Sequence, residues 1–443
     1  MHVYKFGGTS VGSIDRMKAV LDIIKSDDNR KIIVLSAMSG TTNALSNISR
    51  LISEGDQKHA TELVENMYLS YQDILSEFDG HAKEKSTLES CMSDIFELIF
   101  NLVKIPYTAA NEKIILAQGE LLSSNIFHML CRSRGLETSI INALDFMRVN
   151  HLEEPDYDQI NEKAIAALEQ CKNAHVIITQ GYICKNSRGE IDNLKRGGSD
   201  YTATILGSLI KAAEIQIWTD IDGIHNNDPR IVENTTPIEI LSYREAAELS
   251  YFGAKILHPS CVLPAEKAGV PIRLKSTMKP EANGTLISNK ISDRPITALA
   301  AKDGITAIKI YSHRMLMAYG FLRKVFEVFE EFNTPVDMIT TSEVAVSLSI
   351  DDTTNIDDLA MALQEFGEVE IEHGYSIVCV VGNALYEDKA YLNEIFEYLA
   401  DIPIRMVSMG GSKYNISILV SSRYKNEALI RLNQLFQRSS QTS

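Results

Sequence analysis

The sequence predicts an α/β protein: a parallel-rich central sheet sandwiched by helices, followed by two small α+β modules. Three observations predict it. In roughly the first two-thirds of the chain, short β-branched apolar runs alternate with stretches of helical period, as strand–helix–strand units of a covered parallel sheet require. The segment Pro280–Asp293 is polar, contains Asn283-Gly284 and breaks that alternation. Beyond it a helix–strand–turn–strand pattern occurs twice, which reads as an internal duplication.

Taken in order, Val3–Phe6 reads as a strand, Gly7-Gly8 as a turn and Ile14–Lys25 as a helix. Lys31–Ser36 is a second strand, followed by the turn Ala37–Thr42. Residues 56–108 are helical in period and poor in Gly and Pro, which marks a helical insertion, a candidate lid or dimer element. Ile114–His128 is a helix carrying Glu120, and His175–Thr179 and Ile215–Trp218 are buried strands. The turn at Arg196–Gly198 precedes the helix-like run Ala203–Ile210. In the duplicated part, Val325–Phe329 leads through Pro335–Ile339 to the strand Val344–Ile350. The second copy runs from Ile395–Leu399 through Pro403–Val407 to Asn415–Val420. The expected division is a first domain over 1–290 and a second region over 300–443.

The chain has 443 residues and a formal net charge of −16, which argues against a broad nucleic-acid-binding face. Its six cysteines are scattered without a C-x-x-C pair, so reduced, mostly buried thiols are expected rather than disulfides or a zinc site. The opening residues, MHVYKFGG, enter a strand pattern with no apolar leader, and no run reads as long enough to span a bilayer. The expected location is the cytoplasm, with no membrane partner.

Three glycine turns follow strands: Lys5-Phe6-Gly7-Gly8-Thr9-Ser10, Ser36-Ala37-Met38-Ser39-Gly40-Thr41-Thr42 and Arg196-Gly197-Gly198-Ser199-Asp200. None has the Walker A or G-x-G-x-x-G spacing. Each alone would serve as a tight turn. Together they would gather at the carboxyl ends of the strands, where α/β proteins bind ligands, and glycine lets backbone N–H groups and a helix N-terminus approach an anion. Lys5 and Arg196 beside them favour a phosphate-handling cleft. Lys5 sits among Val3, Tyr4 and Phe6, so it is expected to be buried with an anionic partner, for which a phosphate would serve. Arg196 offers a planar fork for a carboxylate. Asp200 and Glu120 supply negative charge for a substrate ammonium, or for a metal through water, although Asp200 could instead cap the helix that follows.

With these residues assembled, the sequence resembles the aspartate kinases of the amino-acid kinase family. The likeness is carried by KFGGTSVG at Lys5–Gly12, SAMSGTTN at Ser36–Asn43, QGE at Gln118–Glu120, RGGSDYTA at Arg196–Ala203, WTDIDGI at Trp218–Ile224, DPR at Asp228–Arg230, FGAKILHP at Phe252–Pro259 and VDMITTSE at Val336–Glu343. The resemblance implies phosphorylation of the β-carboxylate of L-aspartate by ATP with Mg²⁺, the first step toward lysine, threonine and methionine. Lys5, Asp200 and Lys255 would be catalytic. Ser36, Thr42, Glu120, Arg196, Gly197, Gly198 and Ser199 would bind aspartate. Lys5, Gly7, Gly8, Thr219, Asp220, His225, Arg230 and Lys255 would bind ATP, with His225 standing where the family often has tyrosine. No metal site made of protein side chains alone is expected.

The duplicated part resembles paired ACT modules, one inserted in the other, of the monofunctional lysine-inhibited type, with no fused homoserine dehydrogenase. Met315, Ala318, Phe321, Leu322, Val336, Asp337, Thr341, Ser342 and Glu343 match effector-contacting positions, Ala318 replacing a usual serine. L-lysine would be the effector, and a homodimer through the ACT modules the assembly. Two competing readings are a sibling kinase with another carboxylate acceptor and a catalytically silent amino-acid sensor.

Overall fold

A computed structural model describes residues 1–195, 197–252, 257–291, 295–313, 315, 319–383, 385, 387 and 389–438, with the side chains of 437 and 438 excepted. The chain divides into two compact units, Met1–Ile224 with Leu257–Lys290, and His225–Ile256 with Ile291–Ser443. Residues 225–256 therefore pack with the C-terminal region although they lie among the kinase-like motifs in the chain.

The first unit is built on a sheet whose strands run Thr138–Ile140, Val176–Gln180, Lys31–Leu35, His2–Phe6, Ile215–Thr219, Ile272–Ser276 and Thr285–Ser288 in spatial order. Every neighbouring pair is parallel except the last, which is antiparallel. The chain thus begins at a central strand and builds outward to both sides. That reversal of strand order is where open α/β sheets leave a crevice beyond their carboxyl ends. Lys31–Leu35 and Val176–Gln180 are buried at every position, as covered parallel strands should be. The polar segment read as a boundary holds the antiparallel strand Thr285–Ser288, turned back at Gly284 with φ near +67°. A run of so few residues is too short to show a strand period in the sequence.

The helix Ile14–Lys25 starts at Ser13, whose hydroxyl accepts the Arg16 N–H. The helical insertion is Gln57–Ser76 and Ala82–Val103, followed by the long helix Ala109–Ser133. Val64, Tyr71, Met92, Phe96 and Phe127 join the buried core formed with Tyr4, Phe6 and Ile33, so the insertion is part of the main core. Contrary to the expectation from sequence, one helix, Ala109–Ser133, is long and apolar enough to cross a membrane by length and composition. Of its most apolar stretch, 78% is buried inside the protein. All six cysteines are free, and four of them are buried.

The second unit contains a six-stranded antiparallel sheet in the order Met338–Thr341, Ala345–Ile350, Ile296–Tyr311, Glu368–Gly382, Asn415–Ser421, Ile404–Met409. Two long central strands, Ile296–Tyr311 and Glu368–Gly382, pair from Ile296 opposite Gly382 to Tyr311 opposite Glu368. One core gathers Ile308, Ile310, Val325, Phe329 and Leu348. The other gathers Ile296, Leu299, Val378, Ile395, Ile418 and Leu429. Each long strand therefore serves one core with one half and the second core with the other.

Candidate active site

The two-residue period of the central strand His2–Phe6 sends Tyr4 and Phe6 to one face and Val3 and Lys5 to the other. Tyr4 and Phe6 pack against Trp218, the Phe6 and Trp218 rings stacking with centroids 5.8 Å apart. Lys5 points to the helix Gly198–Leu209, where its Nζ lies 2.7 Å from Asp200 Oδ1. The two side chains are only 12% and 11% exposed. The anionic partner that burial demands is thus supplied internally, by Asp200. Asp200 does not cap its helix. Gly197 takes the cap position at φ +74°, a left-handed geometry natural to glycine, and Asp200 falls in the first turn. The pair therefore meets at a helix N-terminus, the positive end of the helix dipole.

The loop after the central strand and the loop after Lys31–Leu35 are pressed together. The Ser36 N–H donates to Phe6 O and the Ser39 N–H to Gly8 O, both at 3.2 Å. A Cβ on Gly8 would come within 2.8 Å of Ala37 O, so only glycine allows this approach. Glu120 enters from the middle of Ala109–Ser133 and is 3% exposed. Its Oε1 accepts the Ala37 N–H at 3.3 Å, while Oε2 is buried without a partner among the described residues. Burial pushes the Glu120 carboxyl up to about 8, and the Ala37 N–H only partly offsets this.

Lys5, Ser36, Thr42, Glu120, Gly197, Gly198, Ser199 and Asp200 line one cleft of about 510 Å³. Stretches far apart in the chain therefore converge, as the glycine turns suggested. Gly7 and the Thr219-Asp220 pair stand at the carboxyl ends of adjacent strands, joined by the Gly7 N–H to Trp218 O bond of 3.2 Å. Thr219 Oγ1 donates to Asp220 Oδ1 at 3.0 Å. His225 and Arg230 belong to the second unit. There His225 Nδ1 is 2.8 Å from Thr235 Oγ1, and Arg230 forks onto both oxygens of Asp228 at 2.9 and 2.6 Å. Arg196, Lys255 and Ala318 lie outside the described residues.

Two lining residues were not among the expected site set, Tyr182 and Lys195. Tyr182 stands just beyond the strand Val176–Gln180 at φ +65°, unusual for a residue with a side chain. The signal available in the sequence was its position, a Gly-Tyr pair at the carboxyl end of a buried strand. Lys195 pairs with Glu153 at 2.8 Å on the exposed rim.

In the second unit, Phe321 opens the helix Phe321–Glu331 and is buried in the first module's core, with Met315 and Val336 packed against it. Leu322 and the stretch Thr341-Ser342-Glu343 are exposed. Asp337 precedes the edge strand Met338–Thr341 with its side chain buried.

Comparison with known proteins bears on both units. Residues 1–276 match the amino acid kinase family and residues 378–436 an ACT domain. The chain is 34% identical to lysine-sensitive aspartokinase 3 of Escherichia coli, over 97% of this chain and 98% of that protein. It is 31% identical to the chloroplastic aspartokinase 2 of Arabidopsis thaliana, over 98% of this chain and 84% of that protein. The fold is similar to E. coli aspartokinase III in complex with aspartate and ADP, with a TM-score of 0.86 and 33% identity over 98% of this chain and 99% of that one. Against the same enzyme in complex with lysine and aspartate the TM-score is 0.80, with the same coverage. A family match over more than half the chain, together with near-complete alignment to aspartokinases, places the protein: it belongs to the amino acid kinase family, among the aspartokinases.

Proposed function

We propose that the protein transfers the γ-phosphoryl group of ATP to the β-carboxylate of L-aspartate, giving 4-phospho-L-aspartate and ADP, under feedback by L-lysine. The observation that carries this reading is the cleft in which Lys5, Asp200, Glu120 and a helix N-terminus meet. A β-carboxylate oxygen forms the new bond to the γ-phosphorus as the bond to the ADP oxygen breaks. That carboxylate is ionised at neutral pH, so the step needs no general base. Positioning and charge neutralisation supply the rate.

In this reading Lys5 leaves its internal partner to meet the γ-phosphoryl oxygens, assisted by Lys255 and the first-turn N–H groups of Gly198–Leu209. Arg196 clamps the α-carboxylate of aspartate. Glu120 and Asp200 face its ammonium, and Ser36, Thr42, Gly197, Gly198 and Ser199 shape the pocket. Gly7, Gly8, Thr219, Asp220, His225 and Arg230 hold the nucleotide. The group of residues fits Mg²⁺ arriving on the nucleotide, with Asp200 the carboxylate at hand, since this ion is bound by one or two carboxylates together with substrate phosphates. The ion would neutralise phosphate charge. Residues 1–290 then form the kinase domain and 300–443 the regulatory region, with Met315, Ala318, Phe321, Leu322, Val336, Asp337, Thr341, Ser342 and Glu343 at the effector site, and two copies associate through the ACT modules.

The test is ADP formation with aspartate, glutamate and N-acetylglutamate as acceptors, in the presence and absence of lysine or threonine. Aspartate-dependent turnover that millimolar lysine suppresses and threonine does not is the expected result. Turnover with another acceptor alone would assign the protein to a sibling activity, and no turnover at all would favour a silent sensor. Sedimentation at micromolar concentration checks the dimer.

A further inference from the structure

The two helices of the insertion, Gln57–Ser76 and Ala82–Val103, join the core of the first unit through apolar side chains, and apolar burial has no direction of its own. One of their contacts does have direction. The hydroxyls of Tyr71 and Thr41 share a hydrogen bond at 2.8 Å, with the two residues only 3% and 6% exposed. Among the described residues it is the one side-chain hydrogen bond by which these two helices reach another element. The Tyr71 ring is itself fixed, edge-on to Phe96 of the second insertion helix with centroids 5.7 Å apart. Burial pushes the Tyr71 hydroxyl up to about 12, so it stays neutral around pH 7.

Thr41 is the first residue of the helix Thr41–Ser53, whose N-cap position is taken by Gly40 at φ +83° with no side chain to close the turn. The next residue, Thr42, lines the cleft. Thr41 also meets the helix Ala109–Ser133. A Cβ on Gly119 would lie 3.2 Å from the Thr41 methyl and 3.0 Å from Ala37 Cβ. Glu120 follows Gly119 and accepts the Ala37 N–H. Two elements therefore hold Thr41, Tyr71 through its hydroxyl and Gly119 through its methyl.

A buried hydroxyl pair is a poor device for stability alone, because an apolar pair of the same shape can replace it at almost no cost. What it adds is a fixed placement of one element on another. We propose that Tyr71 is a positioning residue for aspartate, holding the Thr41-Thr42 helix start in place against Glu120. The inference rests on the aspartate-phosphorylating reading above and deepens it. The insertion is then a fixed buttress of the acceptor pocket rather than a lid. Without the bond, the first turn of Thr41–Ser53 loosens and grips aspartate less well in the ground state and transition state alike. That raises KM for aspartate and leaves kcat in place.

The test compares Tyr71→Phe, Thr41→Val and the double variant of the full-length protein by steady-state kinetics and thermal unfolding. Each single variant should raise KM for aspartate roughly three- to tenfold, the scale of one neutral hydrogen bond, with kcat and KM for ATP within about twofold of wild type. Each should also lower the melting temperature, since one hydroxyl is left buried without its partner. In the double variant both hydroxyls are gone, so the melting temperature should recover while KM for aspartate stays as high as in the single variants and no higher. Thr41→Ser keeps the bond and should keep the wild-type KM. Single variants whose KM for aspartate stays within about twofold of wild type overturn the positioning role and leave the kinase activity standing. So does a KM that recovers together with the melting temperature, the mark of a purely structural bond. Wild-type protein that does not turn over aspartate overturns the kinase reading and the positioning role together.

Discussion

Each unit of this protein buries a lysine against an aspartate, and the two pairs have opposite unmet needs. Lys5 and Asp200 match one cation to one anion at 2.7 Å, at the first turn of a helix. Their surroundings have positive field to spare and suit an incoming phosphate. Lys302 is divided between Asp337 and Asp351, with a buried oxygen left over. Among the described residues a single cation serves these two carboxylates. Similar ion pairs thus stand in the two units, and what differs among the described residues is the count of carboxylates around each lysine. Buried ion pairs are weak sources of stability in any case, so both read more naturally as ligand seats than as struts.

The largest effect that would sharpen this contrast is on turnover. Lys5→Ala should lower kcat by roughly a hundred- to thousandfold, the scale of losing one preorganised contact to transition-state charge. Far-ultraviolet circular dichroism should stay native, because the cleft admits water to the remaining Asp200. Near-normal turnover would remove Lys5 from the chemistry and end the contrast at its first term. Next in size is stability. Lys302→Ala leaves two carboxylates without their cation and should cost about 3 kcal/mol, read as a lower denaturation midpoint. An unchanged midpoint would mean that Asp337 and Asp351 are already neutral or solvated.

A smaller, pH-dependent effect concerns Glu120. Its carboxyl is lifted to about 8 in the folded protein, against about 4.5 when exposed. The proton is therefore retained on folding, and stability is full below the unfolded value and falls as pH rises toward 8. Glu120→Gln removes this penalty, so its melting temperature should exceed that of the wild type by an amount that grows between pH 5 and pH 8. The same ionisation favours substrate ammonium, so the wild-type KM for aspartate should fall over pH 6.5–8.5 and that of Glu120→Gln should not. A flat difference in melting temperature would show that Glu120 titrates normally.

Much of the first unit was legible because its logic is local. Strands of a covered parallel sheet are apolar throughout, each ends in a glycine turn, and parallel strands bring such turns to one edge, so Lys5, Ser36 and Gly198 could be gathered before any coordinates. Tyr182 was missed because nothing in a residue's type announces a positive φ. The placement of 225–256 was not legible, since an amphipathic helix such as Tyr243–Phe252 shows that it has a buried face but not which core receives it. The two longest strands were also missed. Lys302-Asp303-Gly304 and Glu370–His373 interrupt their apolar runs, at points where backbone pairing, invisible in side-chain pattern, carries the strand onward. Asp337 was found from its motif, but Lys302 and Asp351 were not, because their meeting depends on sheet register.

Those two long strands have a genetic consequence. Because Ile296–Tyr311 and Glu368–Gly382 are threaded through both modules, neither module has a boundary at which it can be cut out, swapped or lost alone. A breakpoint anywhere between residues 311 and 368 splits the inner module and strands half of the outer one. Recombination that cuts ahead of Ile296 removes both modules together but leaves behind residues 225–256, which pack with them, so the pair is inherited whole or not at all.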